Sequence, residues 1–477
     1  MRQIVKILLY GSLIVGSASC KRFVEIPPSK TQIATATVFS DSSDASAALL
    51  GIYIKFMVNN TQPNSIIHGG PTIYTGLASD ELVPNGNPYS NFDFDNQFYQ
   101  NAVLSFNNEN SSMWGSAYGA YPQIYQANAC IEGVTSSSAL SGSLKSQLIG
   151  EAKFIRALLY FHLVNLFGDV PLVLQTDFKV NSVMKRTASD TVYQQIINDL
   201  KDAQNLLPVT YPSDGRVRPN KYAATALLAR IYLYRKQWAN AEAAATEVIG
   251  SNAYSLEPNL NSVFLAGSKE AILQFLPVSV GNETVEGALF IPATNDVLPS
   301  YTINSFLLNA FDLGDQRKAN WLGKNTVLVS GVPTDFYYPF KYQHGPDRRS
   351  QPLDDYMVLR LAEQYLIRAE ARAAQSKITD AIDDLNVTRE RAGLPDTTMT
   401  DQGRLLATIY HERQVELFCE TGHRWYDLKR TGLANTVMTV VTPQKGGRWN
   451  SDWQLFPIPL EELHSNPALI QNPGYSN

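Results

Sequence analysis

The sequence predicts a mostly α fold, with helix pairs stacked in a right-handed array beside a loop-rich lobe of irregular structure and few short strands. Three observations lead there. Apolar residues recur at helical spacing in neighbouring pairs, and the same offsets return later in the chain. Two long tracts rich in Gly, Pro, Asn and aromatics interrupt the pattern.

The first helix is expected at about 41–58, where Ala47, Ala48, Leu50, Gly51, Tyr53 and Ile54 fall. A second, at about 150–167, carries Ala152, Ile155, Leu158, Leu159, Leu163 and Leu166, and Gly168 with Pro171 closes it. Its partner at 190–207 starts at Ser189 or Asp190 and stops before Pro208. Residues 220–250 hold a further pair: Ala226, Leu227, Ala229, Tyr232 and Leu233, then Trp238, Ala241, Ala245 and Val248. The break at Arg235-Lys-Gln237 is short, so these two helices are antiparallel neighbours, and Ala229 and Ala241 let their backbones approach. Ala369, Ile378, Ala381, Leu385 and Thr388 match Ala229, Trp238, Ala241, Ala245 and Val248 step for step. The spacing is tetratricopeptide-like. It places helices at about 355–392, followed by a last stretch at 403–430. Such units cannot bury their apolar faces alone and must stack.

The N-terminus reads as a signal peptide over residues 1–19. Arg2 and Lys6 supply the charge, 7–15 the apolar run, and Gly16-Ser-Ala-Ser19 the small residues of a cleavage site. The apolar run is too short to span a bilayer core of ~30 Å. Cys20 follows directly, a placement that resembles a bacterial lipoprotein signal, although Ser17 stands where Leu is commonest and Ser19 where Gly or Ala is. Residues 20–40, with Pro27-Pro28, suit a lipidated tether, and 41–477 form one domain.

Loss of residues 1–19 removes Arg2 and Lys6 and no acid, so net charge moves from −5 to −7. A mildly acidic chain without a basic run argues against nucleic acid as partner. Besides Cys20, only Cys130 and Cys419 remain, too few for a disulfide scaffold, and whether they pair is left open. The six His are scattered, His411-Glu412 has no second His at metalloprotease spacing, and no G-x-S-x-G elbow or Walker loop occurs in the mature chain. No enzyme activity, catalytic residue, metal site or cofactor is therefore expected. Phe92-Asp-Phe-Asp-Asn96 alternates aromatic and acidic residues, which predicts a strand with unlike faces rather than a Ca²⁺ loop.

The interrupting tracts, about 59–128 and 251–354, are longer than ordinary connections, and their aromatic content argues against disorder. We read them as a ligand lobe. Sugar rings present apolar faces and polar edges, so flat aromatics beside Asn, Asp or Arg suit them. The first tract offers Tyr74, Asp80, Asn85, Tyr89 and Phe92 as ligand-binding candidates. The second offers Tyr301, Trp321, Tyr338 and Arg348.

The segment from Arg413 to Arg430 mixes an apolar stripe with dense charge. Glu412, Glu416 and Glu420 recur every four residues, and Arg424 and Asp427 continue that row. Exposed pairs of this kind contribute only tenths of a kcal/mol, so we read the segment as a buried lock between the last long helix and the repeats. Further segments accompany it in order: Glu151-Ala-Lys-Phe-Ile-Arg-Ala157, Leu166-Phe-Gly-Asp-Val-Pro-Leu172, Leu359-Arg-Leu-Ala-Glu-Gln-Tyr365 and Leu455-Phe-Pro-Ile-Pro459 with Gln471-Asn-Pro-Gly-Tyr475. Together they resemble the SusD/RagB family of outer-membrane nutrient-binding lipoproteins. The resemblance implies a SusD-like fold and a cell-surface protein of the outer membrane, anchored by lipid on Cys20. It further implies non-catalytic capture of an oligosaccharide and delivery to a SusC-like TonB-dependent transporter. Capture of an oligopeptide or glycopeptide by the same lid mechanism stays open, as does a structural repeat scaffold in a surface complex. No family motif fixes ligand residues in the tracts, so the nine candidates rest on residue type and place.

Overall fold

The computed structural model describes residues 35–57, 63, 65–86, 92–116, 119–278, 284–345 and 353–476. The expected signal segment and Cys20 lie outside the described residues, as do Tyr89 and Arg348. Helix α1, Ser42–Met57, opens the array. Short helices α2, Gly70–Ala78, α3, Phe92–Tyr99, and α4, Asn108–Gly115, follow, then α5, Ala120–Ser136, and α6, Gly142–Phe167. Helices α7, Ser189–Leu206, α8, Lys221–Tyr234, and α9, Trp238–Gly250, continue the stack. It ends with α10, Leu361–Ala374, α11, Ile378–Arg391, and α12, Gln402–Glu416. Neighbours pack in order: α5 on α6, α6 on α7, α7 on α8, α8 on α9, α9 on α10, α10 on α11.

Helix α6 is the central member. It starts well before Glu151, because the Ser141 side chain accepts from the Leu144 N–H at 3.3 Å and caps the first turn. Every residue from Phe154 to Phe167 is buried. A helix apolar on all sides belongs in the interior, and its polar members are paired: Arg156 grips Asp199 and Asn128, and Glu151 holds Arg218 and Tyr53. Gly168, at φ 74°, ends the helix.

The two matching helix pairs share their turn as well as their register. Lys236 and Ser376 both take positive φ, 55° and 62°. The next N–H reaches back identically, Gln237 to the Tyr232 carbonyl at 2.8 Å and Lys377 to that of Arg372 at 2.9 Å. A left-handed non-glycine residue costs roughly 1–2 kcal/mol, offset here by satisfied carbonyls at the helix ends. The last pair has its own core of Leu366, Ala369, Ala373, Ala381 and Leu385, joined by Leu405, Ile409 and Leu417.

Among the described residues, loops and three two-stranded antiparallel sheets make the second lobe. Strand β1, Leu82–Pro84, pairs with β3, Tyr301–Ile303. Strand β2, Ala271–Phe275, pairs with β6, Tyr356–Arg360, which runs directly into α10. Strands β4, Leu322–Val329, and β5, Val332–Pro339, form a hairpin whose Ser330-Gly331 turn has positive φ at both residues, as a type I′ turn requires.

Two expectations need correction. Phe92–Tyr99 is a helix, not a strand: Asp95 and Phe98 turn inward one turn apart, Asp95 to Tyr301 and Phe98 to Tyr74. The row from Glu412 to Asp427 is also broken. Helix α12 stops at Glu416, and α13, His423–Arg430, begins only after a turn with positive φ at Cys419, Thr421 and Gly422. Cys130 and Cys419 are free and buried. No helix among the described residues is long and apolar enough to cross a membrane.

Candidate functional site

The broken turn lets the three glutamates converge on one buried knot. Arg317 reaches Asp315 at 2.8 Å and Glu416 at 2.9 Å, and also bonds Glu412. Arg360 donates to Glu420 at 2.8 Å, to Glu270 at 2.9 Å and to the Glu416 carbonyl at 2.8 Å. Arg391 completes the set by pairing with Glu270 and Glu416. Burial alone would raise the Glu416 carboxyl, but Arg391, Arg360 and Arg317 hold it well below the usual range. Lys341 bonds Glu420 and lies 4.0 Å from the Phe418 ring centre and 4.7 Å from that of Trp321. Nearby, Arg424 clasps Asp80 at 2.8 and 2.7 Å. The knot ties α12, β6 and the loop lobe together, so the 413–430 signature is a structural lock.

That lock accounts for two of the nine candidates. Asp80 is buried in its pair with Arg424, and Trp321 is buried with its indole N–H on the Leu260 carbonyl at 3.0 Å. Tyr74 is buried too, stacked on Phe98 with ring centres 4.6 Å apart and its hydroxyl on Glu109 at 3.1 Å. Tyr301 is buried with its hydroxyl on Asp95 at 2.9 Å, and Tyr338 is buried against Gly323, where a Cβ would come within 2.2 Å of its ring. These four rings are corrections to the expected aromatic platforms. Long tracts need cores of their own, and large aromatics with partnered polar tips supply them. Phe92 opens α3. Asn85, half-buried, donates to the Pro299 carbonyl and the Thr302 hydroxyl, both at 3.0 Å.

Tyr74, Asn85 and Tyr301 do come together around α3 and the β1–β3 ladder, and the exposed polar groups of this lobe are termed its rim. Asn325 reaches from the hairpin to the carbonyls of Thr294 and Val297, 2.8 Å each, which fixes the exposed 293–298 turn beside it. Asp93 from α3 is exposed, as are Gly86 and Asp296. On the hairpin, Asp335 accepts from Thr326 at 2.6 Å and from Lys324 at 2.9 Å. These bonds, Thr326 first, hold its carboxyl below the ordinary carboxylate range. Lys324, Thr326 and Asp335 were not among the sequence candidates. The two-residue turn Ser330-Gly331 between alternating stretches was the available signal.

Fold and rim define a helical-repeat protein that presents a polar surface built from loops on a sheet-backed base. A family model described as "Starch-binding associating with outer membrane" matches residues 57–233, and a SusD family model matches 309–475. The chain is 27% identical to SusD-like protein P25 of Formosa agariphila across 100% of this chain and 99% of that relative. It is 30% identical to SusD-like protein P2 of the same organism, covering 76% and 81% of the two chains. The solved structure of a laminarin-binding SusD-like protein superposes with a TM-score of 0.75 at 25% identity, over 91% of this chain and 99% of its own. The chain belongs to the SusD/RagB family.

Proposed function

We propose that this protein is a lipid-anchored cell-surface protein of the outer membrane that captures an oligosaccharide and leaves it chemically unchanged. It passes the sugar to a SusC-like TonB-dependent transporter, over which it closes as a lid. The observation that carries the reading is the set of polar groups that the loop lobe leaves half-buried or exposed, Asn85, Asp93, Lys324 and Asp335, in a chain whose family is described as starch-binding. Hydroxyl-rich ligands need such mixed donors and acceptors.

Calorimetric titration of the mature chain with laminarihexaose, maltohexaose and a peptide panel tests the ligand. Binding of a glycan, weakened by Asp335→Ala, is expected; binding of peptides alone would overturn the reading. Co-purification with a large β-barrel partner from detergent extracts tests delivery. Palmitate labelling lost in Cys20→Ala tests the anchor.

A further inference from the structure

A hollow of about 350 Å³ shares no residue with the rim. It lies between α5, the 171–182 segment and the short helix Leu460–Ser465. Trp114 and Tyr121 line its inner part, their ring centres 5.0 Å apart. Tyr125 sits one turn beyond Tyr121 on the same face of α5 and is 50% exposed. Across the mouth, Phe178 is 78% exposed at the start of the one-turn helix Phe178–Asn181. An aromatic ring left so open is ordinary when isolated, but here it completes a set of four around one cavity.

Glu462 and Asn181 supply acceptors among the polar groups of the hollow. Glu462 takes the Trp114 indole N–H, and burial pushes its carboxyl up. Gly115 makes room for it, since a Cβ there would stand 2.5 Å from Glu462 Oε1. Asn181 donates its Nδ2 to the Gln175 carbonyl at 2.8 Å. Its Oδ1 is buried and makes no hydrogen bond among the described residues. Leaving a buried acceptor without a donor is destabilising, so a ligand that brings an O–H or N–H group to it gains there.

We propose that this hollow is a second saccharide site, in which one pyranose ring stacks on Tyr125 and Phe178 and donates hydroxyls to Glu462 and Asn181. Aromatic walls with a carboxylate also suit quaternary ammonium ions. Such an ion has no N–H or O–H to donate to Asn181 Oδ1, however. The ring faces take the C–H surface of the sugar and the acceptors order its edge.

Ligand-observed saturation-transfer NMR on the mature chain tests the site, with maltohexaose and laminarihexaose to about 10 mM, high enough to fill a millimolar site. The same titrations are run on Asp335→Ala, at the rim, and on Asp335→Ala combined with Phe178→Ala. In the Asp335→Ala background, transfer from at least one sugar is expected, with a further Phe178→Ala weakening it about tenfold and leaving the melting midpoint unchanged. Transfer that persists in Asp335→Ala but falls when Phe178→Ala is added supports the hollow even if the rim reading fails. Transfer unaffected by that addition, absence of transfer from both sugars, or displacement of the sugar by tetramethylammonium would overturn the proposal.

Discussion

The two ends of α12 bury the same helical stripe in opposite ways. Leu405 and Ile409 continue the aliphatic core of the last helix pair, and one turn on, Glu412 and Glu416 enter a knot of arginines. All four lie on one face at spacings of four, three and four residues. The aliphatic half joins repeat to repeat, where the surfaces are alike and any snug apolar contact serves. The ionic half joins the repeats to the loop lobe, where fixed partners set a single docking arrangement. Apolar burial there would hold as well or better, so we read the ions as serving specificity.

The largest effect that tests this contrast is expected from Arg360→Met. It leaves Glu270, Glu416 and Glu420 short of a shared cation, at a cost of about 3–5 kcal/mol or more. Ile409→Ala, on the aliphatic half, is expected to cost about 2–5 kcal/mol. Denaturant melts in which Arg360→Met is the milder variant would erase the distinction.

A smaller, pH-dependent effect is expected beside the knot. Burial, reinforced by Asp80, pushes the Glu81 carboxyl from an ordinary 4.5 up to about 8. Between those values the folded chain holds a proton that the unfolded chain has released, so this group's stability contribution falls as pH rises through that window. Glu81→Gln keeps an acceptor for the Cys419 N–H and loses the titration. It is expected to match wild type near pH 5 and to gain on the order of a few kcal/mol by pH 8. Parallel stability curves for the two proteins would reject this.

The smallest effect belongs to the rim. Lys324→Ala breaks an exposed pair with Asp335, so the thermal midpoint is expected to stay put. A fall comparable to that of Ile409→Ala would mean the hairpin is part of the core after all.

The helix pairs were legible because their apolar positions recur at helical spacing, and the five-step match between Ala229–Val248 and Ala369–Thr388 extends in the structure to the turn residues Lys236 and Ser376. The strand expected at 92–96 failed for a physical reason. Five residues cannot separate a period of two from one of 3.6, and the buried Asp95 became helical through Tyr301, distant in sequence. Burial of Tyr74, Tyr301 and Trp321 was equally hidden, because a ring that serves a core and one that meets a ligand look alike along a chain. The buried lock was foreseen in kind. Its partners Arg317, Lys341 and Arg360 were not, since they come from loop-lobe segments far away in sequence.

The depth of the arginine–glutamate knot has a further consequence. Mobile salt screens charges that it can surround, over a Debye length of about 10 Å at 0.1 M, and reaches enclosed pairs far less. The attachment of loops to repeats is therefore insulated from swings in external ionic strength. The Lys324–Asp335 pair, bathed in solvent, responds to every such change. Brine and fresh water would thus meet the same scaffold carrying a differently tuned edge.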